Sequence, residues 1–281
     1  MRKRLFLRYP GFKFKAVTLS YDDGVRQDKR LMSILDKYGL KCTFNLNSGM
    51  FSKEKPNEEK GRMTLEEVLA LYKDSVHEIA VHGENHFSLS SVDPAMGAYD
   101  VIKDRENLER IFGRIVKGMA YANGAYDDTV VEMLKNAGIV YARTVISTEN
   151  FEIPEDWLRL PATCHHNNPR LMELAKEFYE TPITRYSWGK NPRLFYLWGH
   201  SYEFDNNDNW NVIEEFAKYI GGRDDVWYAT NIEVYNYVQA YDRLEFSIDG
   251  SMVHNPSATT VYIEYFGNQF VINAGETVKI K

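Results

Sequence analysis

Short apolar segments alternate with longer segments of helical periodicity over most of the chain. Residues 15–21 (KAVTLSY) alternate in polarity and are rich in β-formers, which predicts a strand. Residues 26–38 carry apolar side chains at helical spacing and are followed by Gly39, which predicts a helix with a glycine C-cap. A strand, a helix and another strand in this order indicate parallel strands joined by helical crossovers.

The same alternation continues to residue 241 and predicts the class of fold. Further strands are predicted at 42–46, 78–81, 118–122, 139–145, 158–164, 194–198 and 226–229, with helices at 64–73, 94–112, 128–136, 168–178, 210–220 and 232–241. Repeated βα units over such a length favour an irregular (β/α)7-8 barrel. An open, doubly wound sheet is the alternative.

The pattern changes after Tyr241. Residues 242–281 show no helical periodicity and contain short strand-like segments at 261–266, 270–272 and 278–280. A segment of roughly 40 residues is near the lower limit for independent folding. We therefore expect a barrel domain at 1–241 and a small β appendage at 242–281 packed on the barrel.

Composition narrows the class of protein. Of the 281 residues 44% are apolar, and the net charge of −6 argues against both disorder and a nucleic-acid partner. No run of 18 apolar residues occurs, so no membrane span is predicted. The basic start lacks a following apolar stretch, and we expect a cytoplasmic protein. Cys42 and Cys164 allow at most one disulfide, and the oligomeric state is left open.

Polar residues gather at one end of the predicted barrel. Barrel enzymes carry their reactive groups at the carboxyl ends of the strands. Asp22 and Asp23 end the first predicted strand. Five of the seven histidines also end or follow predicted strands: His82, His86, His165, His166 and His200. This clustering predicts a catalytic or metal site.

His82 and His86 are four residues apart, so in a helical turn their rings would share a face and could bind one ion. Asp22 or Asp23 can supply a carboxylate ligand, and the other is then free as a general base. Two histidines and one carboxylate leave an open coordination position, as catalytic zinc sites require.

Four segments resemble motifs of polysaccharide deacetylases, the NodB-homology family. Residues 20–24 (SYDDG) look like (T/S)(F/Y)DDG, and residues 82–86 (HGENH) are similar to H-(S/T)-x-x-H. Residues 121–126 (YANGAY) resemble the R-x-P-Y-G loop, and residues 198–200 (WGH) occupy the place of L-x-H. The resemblance extends in order and spacing over most of the predicted barrel.

The resemblance implies metal-dependent removal of an N-acetyl group from an amino sugar. By position, Asp23, His82 and His86 would hold the metal, usually zinc. Asp22 would act as general base, and His200 would protonate the leaving amine.

The resemblance also implies contacts with substrate. The backbone N–H of Asn123 would help to stabilise the oxyanion. Tyr121 and Trp198 lie beside the predicted catalytic positions, where their rings could meet a sugar.

His165 and His166 are adjacent on a strand, so only one of them can point into the site.

The chain departs from the family pattern at positions that matter for the chemistry of the site. Ala120 stands where the family has an arginine that pairs with the base, and we expect Arg143 to replace it. Gly83 stands where Ser or Thr is usual, and Trp198 replaces a leucine that lines the acetate pocket.

Three functions follow from these residues. The first is a metal-dependent hydrolase of non-peptide carbon–nitrogen bonds that deacetylates an amino-sugar oligosaccharide or derivative. The second keeps the chemistry but acts on a non-sugar amide such as a cyclic imide or ureide. The third is a catalytically silent carbohydrate-binding protein.

Overall fold

The computed structural model describes residues 4–54, 61–182 and 191–281. A short strand, β1 (Leu5–Arg8), precedes the strands of the main sheet. Parallel pairing joins nine strands in that sheet. They are β2 (Lys15–Asp22), β3 (Cys42–Leu46), β4 (Glu78–Val81), β5 (Gly118–Ala120), β6 (Tyr141–Ser147), β7 (Leu160–Ala162), β8 (Cys164–His165), β9 (Arg193–His200) and β10 (Val226–Tyr228).

The main sheet closes into a barrel. β7 pairs with β6, and β8 pairs with β9. Thr163, the residue between β7 and β8, donates its backbone N–H to the carbonyl of Tyr196 at 2.8 Å. β9 in turn pairs with β2 along residues 15–22, and β10 pairs with the start of β2. The irregular parallel barrel is thus confirmed.

Helices cover the outside of the barrel. They are α1 (Asp28–Lys37), α2 (Leu65–Tyr72), α3 (Pro94–Phe112), α4 (Asp128–Asn136), α5 (Leu171–Glu180), α6 (Tyr202–Asn206), α7 (Asn211–Ile220) and α8 (Asn231–Asp242). Thr64 and Thr230 form capping boxes that begin α2 and α8. The largest core lies between these helices and the sheet, and α7 buries Ile213, Phe216 and Ile220 in it completely.

A second, smaller core lies on the inner face of the sheet. It consists of Tyr141, Leu160, Ala162, Tyr196 and Trp198. Side chains alternate across a strand, so residues of β6 and β9 that point inward share this face with Arg143 and His200. The carboxyl ends of the strands therefore lie next to a packed core inside the barrel, as expected for a catalytic barrel.

The last 40 or so residues form short antiparallel strands. They are β11 (Glu245–Phe246), β12 (Met252–His254), β13 (Val261–Tyr265), β14 (Asn268–Ile272) and β15 (Thr277–Lys279). These strands belong to two three-stranded sheets, β1-β13-β14 and β11-β12-β15, so the first of them takes one strand from the start of the chain. A division between residues 241 and 242 stays a prediction, because this sheet draws on both sides of it.

Cys42 and Cys164 are both buried, free thiols. None of the helices in the described part of the chain is long and apolar enough to cross a bilayer.

Candidate active site

The two aspartates lie where β2 ends. Asp22 is the last residue of β2 and stands in register between Asn45 on β3 and His200 on β9. The amide of Asn45 donates to Asp22 Oδ1 at 2.8 Å. Asp23 has a φ of 86°, which turns the chain directly after β2. The side chain of Asp22 is 2% exposed, whereas that of Asp23 is 11% exposed.

Asp23 meets His82 and His86. Its Oδ1 lies 3.9 Å from Nε2 of His82 and 3.6 Å from Nε2 of His86. The two histidines are not part of a helical turn. Their segment is a loop with positive φ at Gly83 (84°) and His86 (58°), and it brings the two rings to a centroid distance of 4.8 Å.

These three residues fit a divalent metal ion. Nδ1 of His82 lies 2.9 Å from the carbonyl of Ala120, which fixes the tautomer that leaves the Nε2 lone pair toward Asp23. Burial lowers the pKa of His82, so its imidazole is held neutral, as a metal ligand must be. The potential ligand atoms of Asp23, His82 and His86 all lie within 4.8 Å of one another.

Steric crowding explains why the loop between His82 and His86 has a glycine at position 83. A Cβ on Gly83 would lie 2.4 Å from Oδ2 of Asp100 on α3. Oδ1 of Asp100 accepts the backbone N–H of Asn85 at 2.8 Å. The neighbouring Asp104 accepts the backbone N–H of His82 at 3.0 Å. Two buried carboxylates on one helix therefore shape the loop, and there is no room for the Ser or Thr of the family motif.

Arg143 contacts Asp22. Arg143 is paired in register with Ala120 on the adjacent strand, so it stands directly across from the position of the family's arginine. Its Nη2 bonds both carboxylate oxygens of Asp22. Burial raises the pKa of Asp22, but the opposing effects, led by the charge of Arg143, outweigh it and leave that pKa below its ordinary value.

Trp198 supports this ion pair from the side. Its ring lies 4.2 Å from the Arg143 guanidinium carbon, a cation–π distance, and the residue is 7% exposed. Trp198 therefore lies beside the Asp22–Arg143 ion pair on the inner face of the sheet.

His200 lies on the other side of Asp22. Its Nε2 is 3.8 Å from Asp22 Oδ2, and its Nδ1 is 3.2 Å from Oε1 of Glu203. Burial lowers the pKa of His200, but Glu203 and Asp22 raise it, and the resulting pKa is above the ordinary value. Sequence reasoning missed Glu203, although its position three residues after His200 is a signal that could have found it.

Glu203 also contacts the two adjacent histidines. Its Oε2 lies 3.2 Å from Nε2 of His165 and 2.8 Å from Nε2 of His166. His166 is buried and stacks on Phe204, whereas the side chain of His165 is 22% exposed and packs edge-on against Trp198. Nδ1 of His165 accepts the backbone N–H of Asn167 at 3.1 Å, so Nε2 carries the proton and donates to Glu203 rather than binding a metal.

The remaining predicted residues fall in different places. Tyr121 is 1% exposed, and its hydroxyl donates to the carbonyl of Leu158 at 2.8 Å, which places it in the outer core rather than against substrate. Asn123 is exposed with a φ of 56°, and its side chain donates to Ser88 at 2.9 Å. Sequence reasoning also missed Arg62, whose Nη2 lies 3.1 Å from Asp23 Oδ1.

Fold and site together define a parallel α/β barrel whose polar cluster, two aspartates with facing histidines, lies at the carboxyl ends of the strands. The resemblance drawn from the motifs is confirmed, because residues 10–142 match the model of the polysaccharide deacetylase family. No curated protein matches the chain in sequence.

One of three solved structures that resemble this chain supports the fold, with a TM-score above 0.5. A candidate polysaccharide deacetylase from Mycobacterium smegmatis is 16% identical, with a TM-score of 0.56 over 84% of this chain and 94% of that one. A Streptococcus pyogenes deacetylase in complex with acetate is 19% identical (TM-score 0.41, 46% of this chain, 55% of that one), so the match spans about half of its length. A CE4 family pseudoenzyme from Bacillus anthracis is 16% identical (TM-score 0.47, 81% and 67%).

Proposed function

We propose that this protein is a metal-dependent hydrolase that removes the acetyl group from an N-acetylated amino sugar. One observation carries the proposal: Asp22, paired with Arg143, lies between a set of metal-ligating side chains and an imidazole held by a carboxylate. Hydrolysis of an amide needs a base for water, an oxyanion stabiliser and an acid for the leaving nitrogen. The family match supports a carbohydrate deacetylase as the class of enzyme.

Asp23, His82 and His86 would hold the metal, and we propose zinc because two imidazoles and one carboxylate form a known catalytic zinc ligand set. A bound divalent ion would supply Lewis acidity toward the acyl carbonyl and toward water.

Asp22 serves as the base in this proposal. Its lowered pKa keeps the carboxylate ionised at neutral pH, and its burial excludes competing contacts with bulk water. Arg143 and Asn45 fix the carboxylate oxygens, so Asp22 accepts the proton of water in a position set before substrate binds.

His200 serves as the acid. Glu203 accepts from Nδ1 and raises the pKa of His200, so that Nε2 carries a proton and can pass it to the departing amine. We assign oxyanion stabilisation to the backbone N–H of Asn123, in the loop that follows β5.

The test measures the release of acetate from fully N-acetylated chitotetraose. The protein is first stripped of metal with a chelator and then given zinc. We expect turnover to depend on zinc in the wild type and to be lost in His86→Ala. His254→Ala, on β12 in the appendage, is the matched control and should retain turnover. Opening of a cyclic imide without acetate release, or sugar binding without any turnover, would contradict the proposal.

A further inference from the structure

Arg62 places a guanidinium against the proposed metal site. Nη2 lies 3.1 Å from Asp23 Oδ1, the same oxygen that faces His82 and His86. The Arg62 side chain is 22% exposed, twice the exposed fraction of its aspartate partner. The cation is therefore partly accessible to solvent beside the proposed metal ligands.

The surrounding structure holds Arg62 in place. Its backbone pairs with Val25, next to the β2 turn. Nη1 donates to Oδ1 of Asn47 at 3.0 Å, and the amide of Asn47 donates to the carbonyls of His82 and Gly83, each at 2.8 Å. A charged group fixed in this way can bind a ligand with little loss of side-chain entropy.

The charges at the site do not balance once a divalent ion is bound. The carboxylate of Asp22 is already paired with Arg143. Among the residues that the structure describes, Asp23 is the carboxylate in ion-pair contact with Arg62. The single charge of Asp23 cannot neutralise both a divalent cation and a guanidinium, so the metal-loaded site would carry a surplus of positive charge beside Arg62.

We propose that Arg62 binds an oxyanion group of the substrate, and that the substrate is an N-acylated amino sugar bearing a carboxylate or a phosphate. The planar guanidinium matches the geometry of both groups. This inference rests on the proposed function, which it deepens by naming the class of sugar.

Three probes separate the possibilities by calorimetric binding: N-acetylglucosamine, N-acetylglucosamine 6-phosphate and N-acetylmuramic acid, which are neutral, phosphorylated and carboxylated. Binding is measured in an Asp22→Asn background so that no probe is consumed, with zinc content determined for each variant. We expect at least one anionic probe to bind the zinc-loaded protein about tenfold more tightly than the neutral probe. The preference should shrink in the metal-free protein, where Asp23 neutralises Arg62.

Two substitutions at Arg62 distinguish a role in binding the anionic group of the probe from a purely structural role. Arg62→Gln should reduce the preference to within about twofold, whereas Arg62→Lys should keep part of it because the charge remains. Arg159→Gln, at an exposed arginine paired with Asp128 and Asp156, is the matched control and should keep all of it. Equal affinities for all three probes in zinc-loaded protein with Arg62 intact, or an undiminished preference in Arg62→Gln, would overturn the inference.

Because binding is read directly, this result is independent of turnover. A protein that discriminates the anionic probes but, with Asp22 intact, releases no acetate from N-acetylated chitotetraose or from any probe would retain the Arg62 assignment and refute the proposed function.

Discussion

The ionisation of Asp22 depends on a guanidinium from β6. Burial alone would raise the pKa of this carboxyl, and Arg143 is the leading group that lowers it. In Arg143→Ala we therefore expect the acidic limb of the kcat/KM profile to move to higher pH by about 1 to 3 units. Arg143→Lys keeps a charge and should move the limb less. A limb that does not move in Arg143→Ala would show that Arg143 does not control the base.

The basic side of the same profile tests Glu203. Glu203 raises the pKa of His200 against the opposing effect of burial. In Glu203→Gln the effect of burial dominates, so His200 loses its proton at lower pH and the basic limb should shift down by about one unit. Asp205→Asn removes a carboxylate from the same short helix, where it contacts Gln27 and Trp210, and should leave the limb unchanged. An equal shift in both variants would contradict the assignment.

The sequence was informative about these residues to different degrees. Arg143 could be predicted because Ala120 lacked the expected charge and a buried carboxylate needs a partner. The contact of Glu203 with His200 could be predicted from their spacing, but its contacts with His165 and His166 could not, because only the closed barrel brings the two strands together. Arg62 was hidden for the same reason, since its contact with Asp23 spans 39 residues of chain.

The loop between β4 and α3 depends on Gly83. Its φ of 84° and the nearby Asp100 oxygen both oppose a side chain. We expect Gly83→Ala to lower the free energy of unfolding by about 1–3 kcal/mol and to weaken zinc binding, because the loop carries His82 and His86. Gly113→Ala changes a glycine with a φ of 65° but no atom within 4 Å, and should cost only about 1 kcal/mol. Urea unfolding and chelator competition measure both effects. Equal costs at the two glycines would show that Asp100 imposes no constraint.

Elements with clear end signals were predicted well. The ranges of α3 and α4 agree with the prediction because Asp93 and Asp127 cap their starts and glycines follow their ends. The shape of the His82–His86 segment was not predicted, because residue spacing alone does not distinguish a helical turn from a glycine loop. The five residues of α6 were missed because so short a helix has little periodicity.

At the scale of the whole molecule, a buried ion pair joins the start of the chain to the C-terminal strands. Nη2 of Arg8 on β1 lies 2.9 Å from Oε2 of Glu264 on β13, and the side chains are 0% and 8% exposed. Arg8→Met should lower the free energy of unfolding by about 3–5 kcal/mol, because Glu264 then loses its buried partner charge. Arg8→Met/Glu264→Met should recover much of this loss. A double variant no more stable than the single one would contradict this interpretation.

The repeated βα pattern was enough to predict a barrel, because seven or eight parallel strands covered by helices have few other solutions. Two features of the whole molecule lay outside the reach of local pattern. Barrel closure passes through a strand interrupted at Thr163, and one of the two small sheets includes β1 from the far end of the chain. Both depend on pairing between distant residues, which local periodicity does not encode.

The central claim is that Asp22 acts as the base beside a metal that it does not hold. The most direct test compares the zinc-loaded wild type with Asp22→Asn. It measures acetate release from fully N-acetylated chitotetraose and the zinc content of each protein. We expect equal zinc content in the two proteins and a loss of at least about a hundredfold in kcat for Asp22→Asn. Wild-type protein that releases no acetate with zinc bound, or an Asp22→Asn protein that remains as active as wild type, would contradict it.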